Sequence, residues 1–208
     1  CKVKNYSKDT PKIIIFESIY SMDGDVAPIK EIVNLAIKYN ALTFLDEVHA
    51  VGMYGKTGAG YAELLGISDK IDIIQSTMAK GIGIIGGYIT GEKNIIDLIR
   101  SFSSGFIFTT ALPPCIVAGC ITSVNHIRNS NVERINLKEK TKYLREKLSE
   151  YNIPVLKEST THIVPVIIGN SLKCKQASEK LLQEYNIYVQ PINYPTVEKG
   201  AERFLPVS

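Results

Sequence analysis

No apolar run in this 208-residue sequence approaches the roughly 18 residues that a membrane-spanning helix needs. A signal-peptide core and an Arg-rich amphipathic leader are also missing. The start, CKVKNYSKDTPK, is polar and opens straight into Ile13-Ile14-Ile15-Phe16, which predicts a piece whose earlier part is absent. Charge of one sign is scarce: 24 Lys and Arg stand against 21 Asp and Glu, a formal net charge of +3. That balance, evenly mixed along the chain, argues against nucleic acid or an anionic membrane as partner. Cysteine is sparse. Cys1, Cys115, Cys120 and Cys174 form no C-x-x-C pair, and the histidines lie far from them. They are expected to be free core thiols in a reducing compartment, not a zinc site.

What is present is the material of a sizeable core, with 45% hydrophobic and 22% charged residues, and a regular alternation of strand and helix patterns. Lys12–Glu17, Ala41–Leu45, Ile71–Ile74 and Ile84–Thr90 read as short buried strands, and Phe106–Phe108 as another. Pro28 fits the first turn of a helix running to Asn40, with Ile29, Ile32, Val33, Ala36 and Ile37 on one face. Glu92–Phe102 and the stretch opened by Pro113-Pro114 read as further helices. This rhythm predicts an α/β fold with a mostly parallel sheet flanked by helices. After about residue 120 the character changes. Leu137, Thr141, Leu144 and Leu148 lie at helical spacing among charges of both signs, a solvated helix face. A strand His162–Ile168, a helix Leu172–Tyr185 and a strand Ile187–Gln190 predict a second, small α/β domain. The expected division is 1–125 and 126–208, the second part incomplete at its end.

Gly81–Gly86 spell G-I-G-I-I-G, a literal match to the dinucleotide fingerprint. A dinucleotide site needs such glycines between a strand and a helix, so that the helix N-terminus meets the pyrophosphate. Here they run on into Gly87-Tyr88-Ile89-Thr90, which reads as a strand. No acidic residue follows at about 20 residues either. A P-loop fails because its lysine follows the glycines, whereas Lys80 precedes them.

Lys80 is therefore the residue of interest. It is either an ordinary surface lysine or, with small neighbours Ala79, Gly81 and Gly83, an amine in a low-dielectric pocket, as a Schiff-base lysine requires. Thr77 could place a hydroxyl on a phosphate. Asp46 ends a buried strand, where an unpaired carboxylate is costly, so it should meet a cation such as a protonated pyridine nitrogen. His49 is either a histidine satisfied at a strand end or a partner to the same ring. Ligands of such sheets sit beyond the carboxyl ends of the strands, and that rule groups Asp46, His49 and Lys80.

The segments FESIYSMDGDVAPIKEI, FLDEVHAVGMYGKTGAG, STMAKGIGIIGGYI and SGFIFTTALPP resemble consecutive motifs of the α-oxoamine synthases. These are fold-type I enzymes that use pyridoxal 5′-phosphate to join an amino acid to an acyl-CoA with loss of carbon dioxide. The resemblance runs from about Ile13 to Arg203. With DEVHAVGMYG, FIFTTALPP and NIYVQPINYPTVEKG it is nearest to the branch that condenses glycine with succinyl-CoA to 5-aminolevulinate, the first step of heme and tetrapyrrole biosynthesis. It implies a fold-type I large domain plus a small C-terminal domain. It also implies that Lys80 bonds the cofactor and moves protons at the glycine α-carbon. By the same resemblance Asp46 is expected to keep the ring nitrogen protonated, with His49 and Ser21 at the ring's phenolic oxygen. Thr77 holds the phosphate, and Thr109 and Thr110 reach the phosphate of the neighbouring subunit, so a homodimer with shared sites is expected. Tyr188–Gly200 matches a mobile segment that closes over the site.

Without the resemblance, opening a turn ahead of Asp23-Gly24 is one of the roles open to Ser21, and Thr109 and Thr110 would more often be ordinary strand-end residues. His126 and His162 are read as structural. The sequence departs from the family pattern in two ways. Its first half, with a glycine-rich helix start, a histidine that stacks on the ring and most acyl-CoA contacts, has no counterpart here. At the far end Arg203 falls on the first of two arginines, and Leu205 stands where the second would hold the substrate carboxylate. The piece by itself is therefore expected to be inactive and to leave apolar surface open. Two alternatives stay open: a relative using another amino acid and acyl-CoA, or a non-catalytic paralogue pairing with a full subunit. The expected location is the mitochondrial matrix in a eukaryote and the cytoplasm in a bacterium.

Overall fold

The computed structural model describes residues 5–7 and 9–205. Cys1, expected to be a free thiol, lies outside the described residues. The chain divides into two compact units. One comprises the residues up to Ile19 with Ala27–Arg134, and the other Tyr20–Val26 with the residues from Ile135 onward. The division thus falls later than residue 125, and the short Tyr20–Val26 stretch goes with the later part of the chain.

In the first unit, β1 (Ile13–Glu17), β2 (Leu42–Asp46) and β3 (Ile73–Thr77) pair in parallel, and β4 (Gly87–Gly91) joins β3 antiparallel, in the order β1-β2-β3-β4. Helix α1 (Ile29–Tyr39) links β1 to β2. Pro28, with its fixed φ, stands at its N-cap. Ile29, Val33 and Ala36 are buried at helical spacing, whereas Ile37 points outward. Asn40 ends the helix in the left-handed conformation, its N–H on the carbonyls of Ala36 and Ile37. Phe16, Ile29, Val33, Leu45, Ala62, Ile67 and Ile71 share one apolar core. Each large aliphatic side chain buried in this way contributes about 2 kcal/mol. Strand alternation gives β1 its other side, where Ile13 and Ile15 stay exposed.

After β2 come α2 (Tyr61–Leu65), a 3-10 turn at Ser68–Lys70, and, beyond β4, α3 (Lys93–Phe102), α4 (Ser104–Ile107) and α5 (Pro114–Asn129). The apolar run Phe106–Phe108 is not a strand. Its first two residues end α4, and Phe108 is exposed beyond it with no neighbouring strand to pair with among the described residues. Cys120 is buried in α5, but Cys115, in the first turn, is exposed and is not a core thiol. Helix α6 spans Val132–Glu150.

The second unit carries β5 (Val166–Ile167), α7 (Ser171–Tyr185), β6 (Gln190–Ile192) and β7 (Arg203–Leu205), with an antiparallel sheet in the order β5-β7-β6. The apolar stretch expected to be a strand over His162–Ile168 pairs only at Val166 and Ile167. Pro165 just before them offers no N–H to a ladder. Likewise the strand expected at Ile187–Gln190 begins at Gln190. Val166, Cys174 and Phe204 form the core of this unit, with Leu148, Ala177 and Leu181 against it. Among the described residues no helix is long and apolar enough to cross a membrane.

Candidate active site

Parallel pairing sets Glu17 opposite Asp46 and Asp46 opposite Gln75. The carboxyl ends of three strands therefore line up two carboxylates and an amide along the edge where α/β sheets hold ligands. Asp46 is half-buried, and its Oδ1 accepts the Val48 N–H at 2.8 Å. Its Oδ2 accepts no hydrogen bond among the described residues. The chain then turns tightly, the N–H groups of Ala50 and Val51 both donating to the Glu47 carbonyl, at 2.8 and 2.9 Å. That turn carries His49.

Lys80 comes from the loop after β3. The Met78 N–H donates to Gly86 O and the Ile84 N–H to Met78 O, each at 2.9 Å, closing the loop before β4. The Gly81–Gly86 run thus leads into a strand and not into a helix N-terminus. Thr77 serves the same loop: its hydroxyl donates to Gly86 O at 3.1 Å and accepts the Ala79 N–H at 3.2 Å. Gly81 lies so close to the His49 turn that a Cβ there would sit 2.2 Å from Val51 O. Glycine is what permits this approach. As a result Lys80 Nζ stands 2.7 Å from His49 Nε2.

Burial, followed by the neighbouring Lys80 charge, lowers the His49 pKa to about 4, with Asp46 pulling the other way. The imidazole is therefore neutral at pH 7, and its Nε2 accepts from the Lys80 ammonium, which has no lone pair of its own. Desolvation also lowers the Lys80 pKa, opposed by the carboxylates of Asp46 and then Glu17. Lys80 as a residue is exposed, so an enclosed pocket is not what surrounds it. The desolvation falls on its amine end against the imidazole. A carboxylate with one open oxygen, a neutral imidazole and an amine eased toward its neutral form fit an aromatic cation that also carries an aldehyde. Asp46 would hold the cationic nitrogen and Lys80 the carbonyl carbon.

The other residues singled out in the sequence have the following local settings. Ser21 belongs to the second unit, half-buried in a turn closed by Gly24 N–H to Tyr20 O at 2.8 Å. Thr109 and Thr110 are exposed after α4. His126 is exposed and meets Glu133 Oε1 at 2.8 Å, while His162 is buried in a bend ahead of β5. Arg203 and Leu205 are both buried in β7. The Arg203 guanidinium donates to Asp23 Oδ1 at 2.7 Å, Met22 O at 3.0 Å and Ala201 O at 2.9 Å. Two residues escaped the sequence reading: Glu17, whose charge acts on Lys80, and the completely buried Glu47. The available signal was the acid ending each apolar run, Glu17 in IIIFE and the Asp46-Glu47 pair in FLDE.

The sequence profile of the aminotransferase class I and II family matches residues 1–206. The 5-aminolevulinate synthase of Rickettsia bellii is 58% identical over 93% of this chain and 46% of its own length. That of Rhizobium meliloti is 55% identical over 93% and 48%. The mitochondrial 5-aminolevulinate synthase of Schizosaccharomyces pombe is 52% identical over 97% and 36%. The chain spans about half or less of the length of these curated relatives. Among solved structures, Sphingomonas wittichii serine palmitoyltransferase superposes with a TM-score of 0.91 at 26% identity, over 98% of this chain and 51% of the other. A structure described as SPT with PLP internal aldimine superposes with a TM-score of 0.92 at 27% identity, over the same shares.

Proposed function

The chain belongs to the aminotransferase class I and II family, and from that premise we propose that it is the part of a 5-aminolevulinate synthase that carries the catalytic lysine. The reaction is the condensation of glycine with succinyl-CoA, with loss of carbon dioxide, to 5-aminolevulinate. The observation that carries this reading is the 2.7 Å approach of Lys80 to His49 beside the strand-end carboxylate of Asp46. Identities of 52–58% to enzymes of that name support the substrate pair.

Pyridoxal 5′-phosphate, when bound, supplies an electron-poor pyridinium ring that takes up the electron pair left at the substrate α-carbon. Asp46 holds the proton on the ring nitrogen. Lys80, with its pKa lowered, removes the α-proton of glycine and later returns one at the product carbon. His49 donates to the ring's phenolic oxygen, and Ser21 supplies a hydroxyl to the same oxygen. Thr77 holds the phosphate, its hydroxyl proton turning from Gly86 O to a phosphate oxygen, while Thr109 and Thr110 reach the phosphate in a second copy of the chain. A homodimer is further supported by exposed aromatic side chains close to those threonines in sequence, Phe102, Phe106 and Phe108, which are 77%, 56% and 87% exposed. The relatives named above are bacterial and mitochondrial, so the bacterial cytoplasm or the mitochondrial matrix is the proposed location.

A second reading, a non-catalytic paralogue pairing with a full subunit, is favoured by one observation. Leu205 is a buried apolar residue in β7, and Arg203, two residues earlier, is already engaged by Asp23. Two measurements separate the readings. Borohydride treatment with pyridoxal 5′-phosphate, followed by peptide mass mapping, should place a phosphopyridoxyl group on Lys80 and none anywhere in Lys80→Ala. A label spread over many lysines sinks the cofactor assignment. The complete protein, given glycine and a panel of acyl-CoA thioesters, should release CoA fastest with succinyl-CoA. Labelling of Lys80 without turnover would instead establish the non-catalytic reading.

A further inference from the structure

The carboxylate of Glu47 lies between Asp46 and His49 in sequence, is completely buried, and is met by no cation among the described residues. It accepts three hydrogen bonds. The Ser18 hydroxyl donates to Oε2 at 2.6 Å, the Tyr61 N–H to Oε2 at 3.0 Å and the Ala62 N–H to Oε1 at 2.7 Å. The last two are unsatisfied donors of the first turn of α2, which would otherwise be left open. Ser18 follows β1, and its own N–H donates to Asp46 O at 2.9 Å. The Glu47 N–H donates to Gln75 O at 2.9 Å in β3, and its carbonyl receives the Ala50 and Val51 N–H groups of the His49 turn. Gly60 leaves room for the carboxylate, since a Cβ there would stand 2.7 Å from its carbon. One residue therefore ties the ends of β1 and β3 and the start of α2 to the turn that bears His49.

We infer that Glu47 is a positioning residue that holds the His49 turn against Lys80. It touches neither partner itself and acts through the turn. The inference rests on the proposed catalytic reading only for calling the His49–Lys80 pair functional, and its test needs no cofactor.

Glutamine is nearly isosteric but cannot replace the carboxylate. With its NH2 at the Oε1 position it faces the Ala62 N–H, and at the Oε2 position it faces the Tyr61 N–H. Either rotamer sets a donor against a donor. The readout is the pKa of the His49 imidazole in the folded protein, followed by ring 15N chemical shifts. The groups facing that ring are Lys80 and Asp46. If the turn withdraws from Lys80, the two causes that lower the value, desolvation and the Lys80 charge, both fade. The expected result for Glu47→Gln is a rise from about 4 by roughly a unit or more, toward the ordinary imidazole range. Ser18→Ala, which removes one donor of three, should give a smaller rise and covers the case in which Glu47→Gln does not fold. Thr43→Val breaks a separate tie, where the Thr43 hydroxyl donates to Asp72 Oδ2 at 2.8 Å, and should leave the His49 value unmoved. An unchanged His49 pKa in both Ser18→Ala and folded Glu47→Gln overturns the inference. An equal rise in Thr43→Val does so too, because loosening of the whole unit would then explain the shift. If Lys80 took no cofactor while His49 moved as expected, the positioning role would stand and the catalytic reading alone would fall.

Discussion

Both units bury charged side chains, and two of these, Glu47 in the first and Arg203 in the second, are held in opposite ways. In the first, the Glu47 carboxylate is satisfied by a hydroxyl and two backbone N–H groups, with no counter-charge. In the second, the Arg203 guanidinium, only 6% exposed, has two backbone carbonyls and the carboxylate of Asp23, itself half exposed. Neutral donors hold an anion by direction, so burial still raises the Glu47 pKa against the pull of those bonds. A guanidinium keeps its charge at any working pH. The turn that bears His49 is thus fastened through a buried carboxylate whose pKa is raised, and the Met22-Asp23 turn through a guanidinium.

The largest test of this contrast is the loss of partners. Glu47→Gln leaves a fully buried donor facing a donor and should cost about 3 kcal/mol of unfolding free energy in a denaturant titration. Asp23→Ala should cost less, about 1–2 kcal/mol, because water reaches the vacated position and the two carbonyls still hold Arg203. Equal losses would break the comparison.

The pH dependence is the next test. Glu47 has a folded pKa above its unfolded value of 4.5. Its proton-linked contribution is therefore complete below 4.5 and is lost as pH rises through the raised folded value. The stability gap between the unchanged protein and Glu47→Gln should narrow over that window. His49 runs the other way. Its folded value near 4 lies below the ordinary 6.5, so its contribution is present above 6.5 and is lost as pH falls toward 4. His49→Gln should flatten that part of the stability curve, as read by thermal midpoints at stepped pH. The smallest expected effect is at the exposed Lys142–Glu146 pair on α6, where Lys142→Ala should leave the midpoint unchanged, since such pairs contribute little.

Much of the scaffold was legible in the residues because local chemistry decides it. Ile13–Glu17 and Leu42–Asp46 carry β-branched or large apolar side chains in short runs, α1 has its Pro28 start and helical spacing, and α7 begins one residue before its expected start. Phe106–Phe108 was not legible, because a short apolar run suits a strand or a helix end equally and only the absence of a pairing edge decides. The ladder at Val166-Ile167 is short for a reason visible afterwards, the missing N–H of Pro165, yet its register depends on Arg203 and Phe204 far along the chain. The antiparallel direction of β4 likewise depends on how the Lys80 loop closes.

Among the site residues, Asp46, His49 and Lys80 were singled out by chemistry at strand ends, and the structure brings Lys80 and His49 into contact beside Asp46. Glu47, adjacent to Asp46, escaped notice because its three partners come from Ser18, Tyr61 and Ala62, separated from it by 29, 14 and 15 positions. By itself, the sequence determined which groups stand at the ends of the parallel strands, since strand and helix propensity and apolar spacing are properties of neighbouring residues. Only the tertiary structure decided which donors meet the buried carboxylate, that Arg203 is already taken by Asp23, and that Lys80 faces an imidazole. Those outcomes depend on packing between segments distant in the chain, where a glycine contact such as Gly81 on Val51 sets the distance.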